Sequence, residues 1–221
     1  QDEVHVITLF GDSITHMSYY SDALMEKLYN TFKGRVTLLN KGLGGNKLLS
    51  DAIVLEAIPG HGRASGPSGL SRFEADVFGS EQPDDVYLLI GINDLMHPYL
   101  KNDLKALPEL QDLIGAYKKL IAIGHSKGSR VYLSTLLPLK HTQTPFGPEG
   151  EQLRQRVNAW VLSQDLADGV FDLCKAVSKD EETMMDAYHI GDGLHPNSEG
   201  GIVMAKEVLK TGGMNSGTLT S

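Results

Sequence analysis

Several things are scarce in this 221-residue chain, and each narrows the reading. There is one cysteine, Cys174, so no internal disulfide can form; its setting in Val-Phe-Asp-Leu-Cys predicts a buried thiol at a strand end. No apolar run approaches the roughly 20 residues of a membrane-spanning helix. Acidic residues outnumber basic ones, 28 to 20, for a formal net charge of −8. That balance, with no basic stripe, argues against a nucleic-acid partner, whose binding rests on neutralising phosphates. No pair among the eight histidines has zinc-site spacing such as His-Glu-x-x-His, and no G-x-G-x-x-G leads straight into a helix, so no metal or other cofactor is expected. Internal repeats are also missing. Compartment and oligomeric state are left open by composition.

What is present is an alternation of strand and helix patterns. Residues 4–10, 36–40, 86–90, 131–137 and 170–173 are short and apolar at nearly every position. Strands of that kind belong to a parallel sheet covered on both faces. Between them lie helical patterns: Leu24, Leu28 and Phe32; a stripe from Leu110 to Ile121 within 109–123; Leu153, Val157, Trp160 and Val161 within 149–162; and Ile202, Val203 and Leu209 after Pro196. Trp160 reads as core. The alternation predicts an α/β fold, a three-layer α/β/α sandwich around a central parallel five-stranded sheet. Residues 1–210 are expected to form a single domain, with 211–221 a frayed tail rich in Gly, Ser and Thr. Two long connections, 41–70 and 137–150, leave strand ends and are expected to shape a pocket.

In such sheets ligands sit beyond the carboxyl ends of the strands. Four turns there carry unusual polar residues: Gly11-Asp12-Ser13, the stretch 40–46 with Gly44-Gly45, Gly91-Ile92-Asn93-Asp94, and Asp192-Gly-Leu-His195-Pro-Asn197. Ser13 lies between a strand and a helix, where unpaired N–H groups favour a developing negative charge. A serine needs a base, and the base a carboxylate to set its tautomer. His195 and Asp192, three residues apart in one Gly-bounded turn that ends at a proline, suit both roles. Asn93, a glycine N–H from Gly44-Gly45 and the Ser13 N–H together can make an oxyanion hole. Each turn alone is also an ordinary loop or helix cap. Gly124-His-Ser-Lys-Gly128 matches the G-x-S-x-G elbow but stands after a helix and before a strand, the reverse of what an elbow needs, and reads as a helix end.

Taken in order, the four blocks resemble those of the GDSL, or SGNH, hydrolase family. The resemblance implies a flavodoxin-like sandwich and ester hydrolysis through an acyl-enzyme. By block it implies Ser13 as nucleophile, Asp192 and His195 as its partners, and Ser13, Gly45 and Asn93 as oxyanion donors, with Gly45 chosen over Gly44 by its distance from Asn40. The first block ends Ile14-Thr15 instead of Leu-Ser, and Asn46 stands where many members have Asp. The stretches 44–49 and 66–73 look similar to an arylesterase and acetylxylan-esterase-like branch. No cationic clamp is evident, though Arg63 and Arg72 lie in or near the long loop, and no extended apolar lid is visible. The expected substrate is therefore a short-chain carboxylic ester, an acetylated carbohydrate or small alcohol. A lipase or lysophospholipase-type acylhydrolase is the alternative, and a non-catalytic carbohydrate-binding module the alternative of another class. His16, His97 and Tyr99 are candidates for the pocket wall.

Overall fold

The computed structural model describes residues 4–52, 65–144 and 146–211. The expected tail, apart from Thr211, and Arg63 lie outside the described residues.

Five parallel strands form one sheet in the order β2-β1-β3-β4-β5. They are β1 (His5–Gly11), β2 (Val36–Gly42), β3 (Asp85–Leu89), β4 (Arg130–Ser134) and β5 (Gly169–Phe171). The apolar runs form strands because each residue side is covered: Ile7, Leu9 and Phe10 of β1 and all of β3 are buried. The chain steps from β1 outward to β2, then back across to β3. The strand order therefore reverses between β1 and β3, and the crevice above that point is where such sheets bind ligands.

Helices cover both faces. On one side α2 (Tyr19–Phe32) packs against α8 (Ser198–Thr211) through Leu24, Leu28, Met204 and their neighbours. On the other, α5 (Leu110–Ser126) packs between α3 (Gly69–Phe78) and α6 (Pro148–Ser163). Its buried stripe is Leu113, Tyr117, Leu120 and Ile121, and Trp160 of α6 stacks on Tyr117 at 6.0 Å between centroids, a core contact. No helix of the described residues is long and apolar enough to cross a membrane.

The elements depart from the sequence pattern where a cap or a tertiary contact intervenes. The first helix splits into a single turn, α1 (Ser13–His16), and α2, because Ser18 adopts a left-handed conformation between them. Gly91-Ile-Asn-Asp is no free turn: it opens α4 (Ile92–Leu100), which Pro98 disguises in the sequence. Strand β5 stops at Phe171, since the Asp172 side chain accepts from Lys175 N and starts α7 (Leu173–Val177). Cys174 is buried, as expected, but on that helix, against Arg154. Pro196 precedes α8 without joining it; Asn197 caps the helix, with Oδ1 accepting from Gly200 N at 3.0 Å. The G-x-S-x-G match lies where α5 turns into β4, at the amino ends of the strands. A Cβ on Gly124 would meet Val131 Cγ2 at 2.3 Å, so this glycine serves close helix–sheet packing.

Candidate active site

Ser13 begins α1 immediately after β1. The cap is Asp12, whose Oδ1 accepts from Ile14 N at 3.0 Å, so the acidic residue holds the turn and leaves the serine hydroxyl to face outward. Ser13 Oγ lies 2.9 Å from His195 Nε2, across 182 residues of chain. His195 Nδ1 lies 2.5 Å from Asp192 Oδ2. The other oxygen, Asp192 Oδ1, accepts from the amides of Leu194 and His195 at 3.0 and 2.9 Å. One carboxylate thus shapes the loop and orients the ring. Burial works to raise the Asp192 pKa, but the His195 hydrogen bond and these two amides outweigh it and hold the carboxyl below its ordinary value. An ionised Asp192 keeps the proton on Nδ1 and leaves Nε2 free to take one from Ser13.

Residues of the four blocks line one cavity of about 530 Å³, walled by Ser13, Gly44, Gly45, Asn93, Asp192 and His195 and completed by His16, Met96, His97, Leu100 and Thr142 to Thr144. Gly44 and Gly45 are not equivalent. Gly44 N donates to His16 Nδ1 at 3.2 Å, whereas Gly45 N has no acceptor among the described residues and its φ of +71° favours glycine. Asn93 is buried, and its Nδ2 donates to Asn46 O at 3.0 Å. That bond orients the amide nitrogen and leaves its second hydrogen unused. Tyr99, also a candidate, stands apart: its hydroxyl accepts from Gly150 N and its ring packs on Phe146.

The loop carrying Gly45 is anchored by groups whose importance no local pattern reveals. Asn46 is fully buried: Nδ2 donates to Ser65 O and Pro67 O, and Oδ1 accepts from Arg72 Nε. An aspartate facing those two carbonyls would have no proton to offer, which explains the amide at this position. Arg72 is no substrate clamp. The residue is 6% exposed, and its guanidinium lies over the Phe10 ring at 4.0 Å and binds Gly11 O, Lys41 O, Asn46 Oδ1 and Asp76. It fastens the serine turn to the glycine loop; each buried acceptor it satisfies would cost about 1–3 kcal/mol if left bare. Asp94 accepts from Leu48 N and Leu49 N at 2.6 and 2.9 Å and holds the far end of the same loop. Burial pushes its carboxyl up to about 6, and that of Asp12 up to about 7. Gln143 does the corresponding work opposite: its N donates to Asp192 O and its Nε2 to Gly191 O.

Tertiary folding also makes two further His–Asp pairs that sequence spacing did not suggest, His5 with Asp85 and His125 with Asp168, each at 2.8 Å. Both lie at the amino ends of the strands, away from Ser13.

The model of the GDSL-like lipase/acylhydrolase family matches residues 9–201. The chain belongs to this family. It is accordingly a carboxylic ester hydrolase with the fold of that family. No curated protein matches this acylhydrolase by sequence. Solved structures similar to it include a catalytic mutant of Axe2, an acetylxylan esterase from Geobacillus stearothermophilus, at 19% identity and TM-score 0.69, covering 95% of this chain and 94% of that one. Another is LAE5, an α/β hydrolase enzyme from the metagenome of Lake Arreo, Spain, at 21% identity and TM-score 0.68, with 98% and 99% covered. A third is the acetyl xylan esterase AlAXEase, at 19% identity and TM-score 0.68, with 93% and 98% covered.

Proposed function

We propose that this acylhydrolase is a serine esterase that removes short acyl groups, acetyl foremost, from a carbohydrate or small alcohol. The observation that carries the chemistry is the hydrogen-bonded chain Ser13–His195–Asp192 at the wall of the cavity. Ser13 Oγ attacks the ester carbonyl as His195 Nε2 takes its proton. Asp192 stabilises the imidazolium. The Ser13 and Gly45 amides and Asn93 Nδ2 bind the oxyanion. His195 then protonates the leaving alcohol, and water repeats the cycle to release the acid.

The cavity, about 530 Å³, is of the size that holds a small-molecule ester. His16, Thr142, Gln143 and Thr144 give the wall polar groups that suit a hydroxylated alcohol. The acetylxylan esterases among its structural relatives, at under 25% identity, add support of the same kind. One observation favours the lipid-ester reading: Met96, Leu100 and Leu194 also line the cavity, and Leu100 is 45% exposed.

Hydrolysis of p-nitrophenyl acetate, butyrate and octanoate, beside release of acetate from acetylated xylo-oligosaccharides, separates the two. The expected result is a kcat/KM that falls with chain length, together with acetate release from the oligosaccharides. A preference for octanoate would replace this reading with the lipid one. Folded protein that bound acetylated sugars without turning over any ester would point to a binding module.

Asn93→Ala is expected to lower kcat by about 100- to 1,000-fold, as for other lost oxyanion donors, with KM little changed. Near-normal turnover in this variant would make Asn93 only an anchor for Asn46 O.

A further inference from the structure

His97 is a buried polar side chain on the cavity wall with no part in the mechanism above. His97 follows Asn93 by one helical turn on α4, which places both on the same face. It is 4% exposed and lines both the Ser13 cavity and a smaller adjoining pocket of about 160 Å³. Its Nδ1 is fully enclosed and has no hydrogen-bond partner among the described residues. That leaves Nε2 as the ring nitrogen able to meet a ligand. Its neighbours on the cavity wall, Met96 and Leu100, are apolar, so a histidine here gives up the packing that a leucine or phenylalanine would offer at no polar cost.

The electrostatics limit what His97 can recognise. Burial, followed by the charges of Lys47 and Lys101, lowers its pKa to about 4. The ring is therefore uncharged at neutral pH and offers an anion no ion pair. The smaller pocket sets Lys47 and Lys101 against Asp94 and Asp103, so its wall presents neither sign of charge in excess. An uncharged imidazole nitrogen either donates or accepts one hydrogen bond, according to its tautomer, and a hydroxyl group is the partner that answers both.

We propose that His97 is a specificity-determining residue whose Nε2 hydrogen-bonds a hydroxyl group of the substrate close to the ester, so that acetates of polyols and sugars are selected over hydroxyl-free acetates of the same size. The proposal rests on the short-acyl, hydroxylated-alcohol reading above, and it adds the group that enforces that preference.

The test compares kcat/KM for matched pairs, glycerol 1-acetate against propyl acetate and a methyl mono-O-acetyl-xyloside against cyclohexyl acetate. Wild type, His97→Leu and His97→Gln are measured side by side. In the wild type the hydroxylated member of each pair should be preferred. His97→Leu should reduce that ratio by about tenfold, the scale of one lost hydrogen bond, chiefly through KM for the hydroxylated ester. His97→Gln, which can offer an amide near the Nε2 position, should recover part of it. Thermal unfolding of both variants identifies a structural role: a folded His97→Leu protein of undiminished stability is expected, because an unpartnered buried nitrogen has been removed. A ratio unchanged in His97→Leu, with the wild-type preference intact, overturns the assignment of His97 and leaves the esterase reading standing. A wild-type ratio near one overturns the hydroxylated-alcohol reading and the role of His97 with it. Should His97→Leu fail to fold, an unchanged ratio in His97→Gln together with one in His97→Phe overturns the assignment equally.

Discussion

Ser13→Ala is expected to lower kcat on p-nitrophenyl acetate by on the order of a million-fold, to the residue of rate that oxyanion contacts and binding alone support. The reason lies in the local geometry. Ser13 Oγ is the hydroxyl that meets His195 Nε2, and it does so at the N-terminus of α1, beside the amide proposed above as an oxyanion donor. Alanine keeps the turn, because the cap belongs to Asp12, so the variant should fold as the parent does. It should also still bind ester, with KM or a binding constant near that of the parent. Burst kinetics in the wild type, absent from the variant, would identify the acyl-enzyme. A Ser13→Ala protein retaining a tenth of the parent activity would show that the nucleophile is elsewhere.

The second large effect concerns Asp192→Asn, expected to reduce kcat about 10,000-fold. An asparagine is nearly isosteric, yet it cannot satisfy what surrounds it. Oδ1 of Asp192 accepts two backbone amides and Oδ2 accepts His195 Nδ1, so both oxygens face donors. An amide must turn its NH2 to one side or the other. Facing the ring, it forces the proton from Nδ1 to Nε2, and the histidine can no longer receive the Ser13 proton. Facing the backbone, it opposes the Leu194 and His195 amides and loosens the loop. The double variant Ser13→Ala/Asp192→Asn should be no slower than Ser13→Ala alone, since the groups act as a unit. Additive losses, or an Asp192→Asn rate within tenfold of the parent, would show that the carboxylate shapes the loop without serving the base.

The layout of the fold was legible in the sequence because a parallel sheet covered on both faces demands nearly continuous apolar strands, and runs such as those of β1 and β3 have few other uses. The parts that escaped notice are those in which one residue overrides a pattern. Pro98 hides α4, Ser18 divides α1 from α2, and Asp172 ends β5 early. The candidate site divides in a similar way. Asp192 and His195 could be paired from sequence because a single loop presents both. Ser13 could be singled out as a candidate from its place after a strand.

The anchors could not be read in this way. Arg72 binds Gly11 O across 61 residues and Gln143 binds Gly191 O across 48, and neither belongs to a motif with chemistry of its own. Even so, Arg72 lies in the stretch 66–73 that already stood out as similar to one branch of esterases, and that was the available signal.

The order of residues along the chain settled which elements form and which reactive groups leave the strand ends, because hydrophobic periodicity and turn chemistry act over a few residues. It offered Gly45 over Gly44 only through a resemblance and His97 only as one of three candidates for the cavity wall, and it did not show that Arg72 is an internal strut instead of a substrate clamp. Those depend on how each buried donor and acceptor finds a partner. Leaving one unpaired costs too much for the choice to be local, and the partners come from distant parts of the chain that only the assembled sheet and its helices bring together.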